Sequence, residues 1–151
     1  MPIPKSVIRF NKNGIKYVSS VDKAQYTIFE LSRAALRDVG KLVARTFRKS
    51  YYQHFKKNSG RVGKYTQYWV KANRKYQKNP ELQVGIKTFG FYGGFQEFGT
   101  SQTPRLGLLG KAVQENIAEI VKLESQYLSA LEDEATALSM IDEGEQEGSG
   151  E

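Results

Sequence analysis

Apolar residues Ala24, Ile28, Leu31, Ala35, Val39, Leu42 and Val43 recur at helical spacing, and Arg33, Arg37, Lys41, Arg45 and Arg48 fall on the opposite face. The pattern predicts one amphipathic helix from Asp22, read as its N-cap, to about Phe55. At about 1.5 Å per residue such a helix is roughly 50 Å long. Gly40 interrupts it and reads as a weak point costing about 1 kcal/mol relative to Ala.

The pattern changes period on both sides of this helix. Val7–Phe10 and Ile15–Val18 are short β-rich runs around Asn13-Gly14, a tight-turn dipeptide, and predict a hairpin. After the helix, Lys56–Lys64 reads "KKNSGRVGK", a basic, glycine-punctuated loop expected to be exposed and mobile. "YTQYWVKA", Tyr65–Ala72, is aromatic and β-branched, and "LQVGIKT", Leu82–Thr88, alternates apolar and polar. The two predict an antiparallel strand pair turned at Asn79-Pro80. Phe89–Gly99, "FGFYGGFQEFG", has a Gly-Gly that fits either a strand kink or the start of a short helical turn, and reads as a turn. A second helix is predicted from Pro104, with Leu109, Ala112, Val113, Ile117, Ile120, Leu123, Tyr127 and Leu131 as its apolar stripe. The expected class is α+β: a small antiparallel sheet packed by a long N-terminal helix and a C-terminal helix, after an N-terminal hairpin. Residues 1–131 form a single domain in this reading. Residues 132–151, acidic and ending in the glycine-rich "DEGEQEGSGE", form a largely disordered tail.

Charge sharpens that division. Before Glu132 the chain carries 23 basic and 8 acidic residues, a net of +15; the last 20 residues carry 8 acids and no base, a net of −8. A basic body suits a polyanion or an acidic partner, or serves solubility alone. Tyr51, Tyr52, Tyr65, Tyr68 and Trp69 lie among or beyond Arg33, Arg37, Lys41, Arg45, Arg48, Lys56, Lys57, Arg61 and Lys64. Basic residues with interleaved aromatics suit a nucleic-acid backbone and stacked bases, so these nine are candidate interface or DNA contacts. No helix-turn-helix, zinc-finger or RNA-recognition signature accompanies them.

Catalytic chemistry finds little to stand on. The chain has no cysteine and a single histidine, His54, which argues against a metal centre and a Ser-His-Asp arrangement. Glu115 and Glu119 lie four apart on a solvated helical face, where a surface role is the expectation. "GRVGK" at Gly60–Lys64 is too short for a phosphate loop and is followed by Tyr65 rather than Ser or Thr. Glu97 is the one body carboxylate in a distinctive loop, and a hydrolase usually needs two. No cofactor, metal or catalytic residue is expected. No run of about 20 apolar residues encodes a membrane span, and "MPIPKSVIRF" lacks a signal-peptide core.

The stretch "GFQEFGTSQTP", Gly94–Pro104, raises a second possibility: a structural corner that serves assembly. Gly99 can take a positive φ where the chain turns, and Thr100 or Ser101 can cap the next turn. Phe95 and Phe98 are expected to anchor the corner in the core. Glu97 either points outward to a basic residue of a neighbouring subunit or pairs within its own chain. The wider segment "FYGGFQEFGTSQTPRLGLLGKAVQENIAEI" is similar to the tail-component family of long-tailed bacteriophages, often called tail-completion or head–tail joining proteins. Glu97, Phe98, Gly99 and Thr100 match its Glu-Phe-Gly-Thr, and Pro104, Leu109 and Ala112 match the stretch that opens its C-terminal helix. The order of elements from Asp22 to Leu131 agrees. The family commonly has Pro-Phe before the Leu and a Pro before the Ala, where this chain has Gly107-Leu108 and Gly110-Lys111.

The resemblance implies a non-enzymatic virion protein of a phage or prophage neck, made in the host cytoplasm. It implies a ring, typically of six copies, meeting the head connector and the tail tube, as either a joiner or a terminator. A small basic protein binding DNA without sequence preference is the alternative. A head-to-tail ring needs two different patches per subunit. The Lys56–Lys64 loop and the acidic tail are candidates for contacts that order on assembly.

Overall fold

A computed structural model describes residues 7–12, 14–56, 60–72 and 79–148. Asn13, Lys57 and the turn residues 73–78 lie outside the described residues. The chain is α+β. Its organising element is helix α1, Val21–Phe55, about 52 Å long at about 1.5 Å per residue. Strands β1 (Val7–Lys12) and β2 (Ile15–Ser19) precede it as an antiparallel hairpin with a register shift between Ile8 and Phe10. Gly14 in its turn has φ +79°, the left-handed geometry that an Asn-Gly turn favours. Helix α2, Arg61–Lys64, leads into β3 (Thr66–Lys71), which pairs antiparallel with β4 (Glu81–Ile86) from Thr66↔Ile86 to Lys71↔Glu81. A 3-10 turn at Thr88–Gly90 opens onto α3, Tyr92–Phe98. Helices α4 (Leu108–Glu115), α5 (Ile117–Ser129) and α6 (Glu134–Gly148) follow. The β3–β4 pair and helices α2, α4, α5 and α6 all contact α1.

Two apolar clusters form along α1. Toward its C-terminal end, Phe47 and Tyr51 pack with Val62 of α2 and Ala112 of α4, flanked by Ile86, Tyr92, Leu108 and Leu109. Toward its N-terminal end, Leu31 packs with Ala137 and Ile141 of α6, flanked by Tyr127, Leu138 and Met140. Between them, Gly40 is buried where β3 and β4 approach. A Cβ there would lie 2.6 Å from the Tyr68 ring and 2.9 Å from Leu82 Cδ1. The glycine expected to be a weak point is thus a place where side chains of the sheet pack directly on the helix backbone.

Several expectations change. Ser20, not Asp22, is the N-cap of α1; Asp22 sits in the first turn, where a carboxylate still suits the helix dipole. Ala24 and Ile28 are exposed, and the buried positions of this part of α1 are Tyr26, Glu30 and Leu31. Half of the loop expected at Lys56–Lys64 is α2, held down by buried Val62.

The second helix begins at Leu108 rather than Pro104, because Gly107 at φ +59° cannot belong to a right-handed helix. The helix also breaks at Asn116, whose side-chain Nδ2 donates to the Ala112 carbonyl at 2.7 Å and draws off the local helical bonding. Of the predicted stripe, Ala112 is buried and Leu109, Ile120, Leu123 and Tyr127 are half-buried, whereas Val113, Ile117 and Leu131 are exposed.

The acidic segment, expected to be largely loose, contains α6. Ala137 and Ile141, one helical turn apart, give it an apolar edge against Leu31. Asp133 caps its start, accepting from the Ala135 and Thr136 backbone N–H groups and from Thr136 Oγ1 at 2.6 Å. Lys23 of α1 pairs with Glu134.

Candidate assembly corner

The corner is built by hydrogen bonds among α3, the connection after it and α4. Gly99 ends α3 with φ +81°, and its N–H donates to the Phe95 carbonyl at 2.8 Å. A Cβ at Gly99 would come within 3.0 Å of the Arg105 backbone nitrogen, so both conformation and space require glycine here. Thr100 Oγ1 accepts from the N–H groups of Gln102 and Thr103, and the Thr100 N–H donates to the Thr103 carbonyl at 2.8 Å. This four-residue loop turns the chain back past Pro104, which is exposed. The returning strand of chain is pinned by the Leu106 N–H, which donates to the Gln96 carbonyl at 2.8 Å.

Glu97 completes the corner. Its Oε2 accepts from the Leu109 N–H at 2.9 Å and its Oε1 from the Gly110 N–H at 3.0 Å. These are the second and third N–H groups of α4, donors with no partner inside the helix. The residue at the N-cap position, Gly107, has no side chain to satisfy them. A carboxylate from the preceding helix therefore does the work of the cap, with the helix dipole in its favour. Glu97 pairs within its own chain, and the outward-pointing alternative does not describe it. The neighbouring Gln96 ties α3 to α1: its Oε1 accepts from the Tyr51 hydroxyl at 2.9 Å. Burial pushes the Tyr51 hydroxyl above its ordinary value, more than the Gln96 bond pulls it down, so it stays the neutral donor this bond needs.

The phenylalanines do the reverse of what the sequence suggested. Phe95 and Phe98 are 52% and 77% exposed, and Phe89 and Phe91 beside them are 71% and 65% exposed. The core position is taken by Ala112, 1% exposed against Phe47, Tyr51 and Val62, with Leu109 at its edge. Phe91 and Phe95 meet edge to face at 6.0 Å, and Phe89 lies 5.5 Å from Tyr65. Tyr92, Gly93 and Gln96 take the inner side of the short α3, which leaves Phe95 and Phe98 on its outer side. The void behind it, lined by Phe47, Tyr51, Gln96 and Glu97 among others, measures about 10 Å³, the space of one water.

The basic candidates divide. Arg48 is structural: its Nε donates to the Gly63 carbonyl at 3.1 Å and its Nη2 to the Thr66 carbonyl at 2.6 Å, fastening α2 and β3 to α1. Arg33 pairs with buried Glu30 at 2.9 Å, and Lys41 with Asp38 at 3.6 Å. Asp38 also accepts from the Tyr127 hydroxyl of α5 at 2.5 Å. Arg37 is half-buried and engaged. Arg45, Lys56, Arg61 and Lys64 are exposed. Lys56 ends α1 in the left-handed conformation at φ 48°, and Lys64 Nζ sits 5.8 Å from the Tyr65 ring centroid.

Among the described residues, no group of three or more His, Cys, Asp or Glu side chains could hold a metal ion, and no helix is long and apolar enough to cross a membrane. A depression of about 730 Å³ between α5 and α6 is lined by Lys122, Ser129, Glu132, Asp133 and Met140, and the Asp133 carboxylate there is spent on capping α6. Comparison with protein-family models, with curated proteins and with solved structures finds no match for this chain.

Proposed function

We propose that this chain is a structural, non-enzymatic subunit of a phage or prophage neck, which assembles as a ring between head connector and tail tube. The observation that carries the reading is the corner's inversion. Gln96, Glu97 and Thr100 are spent on hydrogen bonds within the fold, while four phenylalanines stand in solvent. Exposed aromatic surface of this kind marks a contact site. The Glu97 carboxylate is engaged by two backbone N–H groups at the start of α4, which gives it a structural task as a cap. The resemblance of Glu97–Thr100, Pro104, Leu109 and Ala112 to the tail-component family supplies the kind of assembly. Both a joiner and a terminator fit it.

Non-specific DNA binding is the second reading. Exposed Arg45, Lys56, Arg61 and Lys64 favour it, and the engagement of Arg33, Lys41 and Arg48 within the fold weakens it. Electron microscopy of the concentrated protein at moderate salt, without nucleic acid, tests the two. Rings of uniform diameter are expected. Monomers whose affinity for duplex DNA falls steeply with salt contradict the ring and support the second reading.

A further inference from the structure

The chain exposes a second apolar surface, unlike the first. On α4 and α5, Val113, Ile117, Val121 and Leu128 are exposed. Ile117, Val121 and Leu128 lie within about 40° of one another around the helix axis at 3.6 residues per turn. The half-buried Ile120, Leu123 and Tyr127 lie on the adjoining sector and are turned to the fold. The apolar face of α5 is therefore wider than the surface that covers it, and half of it is left in solvent. Such a half-covered stripe has the form of a helix waiting for a second partner.

The two exposed surfaces differ in charge as well as shape. Exposed Lys64 and Lys87 stand beside the aromatic corner: Lys64 is against the Tyr65 ring, the Lys87 N–H donates to the Tyr65 carbonyl, and Tyr65 touches Phe89. The α5 stripe carries exposed Glu124 within its apolar sector, and exposed Glu132 follows at the start of the acidic segment. One surface is aromatic and basic, the other aliphatic and acidic. Surfaces of opposite sign attract, whereas either surface facing its own copy places like charges together.

We infer that the α5 stripe of one copy of this chain seats on the aromatic corner of the next, with Glu124 facing Lys64 and Lys87. The inference rests on the ring proposed above and assigns its two faces. The contact is heterologous, so each copy keeps one face of each kind free to continue the assembly.

The chain has no cysteine, so introduced thiols report the contact without background. Thr88→Cys and Ser125→Cys, at exposed positions beside Phe89 and Val121 that leave both apolar surfaces intact, are made in separate chains, mixed, and oxidised at a concentration where light scattering shows an oligomer. The expected result is a covalent dimer in the mixture, monomer in each variant alone, and a ladder of products when one chain carries both cysteines. Lys87→Glu is expected to weaken association at least tenfold, and Glu124→Lys in the same chain to restore it. Self-cross-linking of either single variant overturns the inference, because it requires a face-to-itself contact. An oligomer that gives no mixed cross-link overturns these two faces and leaves the ring standing. A chain that stays monomeric at every concentration overturns both.

Discussion

The two ends of α1 hold their partners by different means. At the C-terminal end, Phe47 and Tyr51 close an apolar cluster, and side chains reaching backbone groups fasten its surroundings: Arg48 to Gly63 and Thr66, Glu97 to Leu109 and Gly110. At the N-terminal end, α6 rests on Leu31 through Ala137 and Ile141, with a capping aspartate and one exposed ion pair. Backbone-directed bonds fix position as well as contact, because each has a narrow geometry. Small apolar contacts and surface ion pairs allow sliding and local opening. The corner is therefore the rigid end, suited to presenting a surface, and α6 is the end that can leave.

The sharpest way to break this contrast is Phe47→Ala. It empties the centre of the corner cluster and is expected to cost about 3–5 kcal/mol, read as a global loss of melting temperature. If the loss stays below about 1 kcal/mol, the corner is not the stable end. Glu97→Ala comes next. It strands two N–H groups at the start of α4, at a cost of about 2–3 kcal/mol by chemical denaturation. Glu97→Gln keeps one good acceptor, and about half that loss is expected for it.

Ile141→Ala is expected to cost about 2 kcal/mol, and that cost is local. Amide exchange of α6 should quicken while the amides of Leu109 and Gly110 keep their protection. Equal quickening at both ends would erase the distinction. The smallest effect is in pH. The Asp133 carboxyl lies below its ordinary value, first because Thr136 Oγ1 donates to it and then through the Ala135 and Thr136 N–H groups. A lowered folded value means the cap contributes fully above the ordinary carboxylate range and is lost as pH falls through the lowered value. Protection of the Ala135 and Thr136 amides, relative to their intrinsic exchange at each pH, should therefore fall on acidification below about pH 4, the ordinary aspartate value. Asp133→Asn should flatten that dependence.

Local features of the fold were legible along the chain. The Asn-Gly turn, the long amphipathic helix and the left-handed Gly99 each depend on residues a few positions apart, and the β3–β4 pair on two runs of β-rich residues whose partners lie ten to twenty positions apart. Thr100 as a loop-closing side chain belongs with them. Glu97 was not legible in the same way, because its partners lie twelve and thirteen residues on and the signal was an absence: Gly107 offers α4 no cap. Arg48 looked solvated because its partners are carbonyls of Gly63 and Thr66, and backbone acceptors leave no mark in a sequence. Phe95 and Phe98 were misplaced because hydrophobicity says that a residue seeks cover without saying whose. The same holds for Ile117 on α5. Composition hid α6: eight acids outweighed the two small apolar contacts that seat it.

The most direct test of the claim that the corner's phenylalanines serve assembly and not the fold is Phe98→Ser, with melting temperature and oligomer mass measured on the same sample. The account predicts an unchanged melting temperature for the dissociated chain and a loss of the oligomer. A melting temperature lowered by several degrees, or an oligomer of unchanged mass, would contradict it.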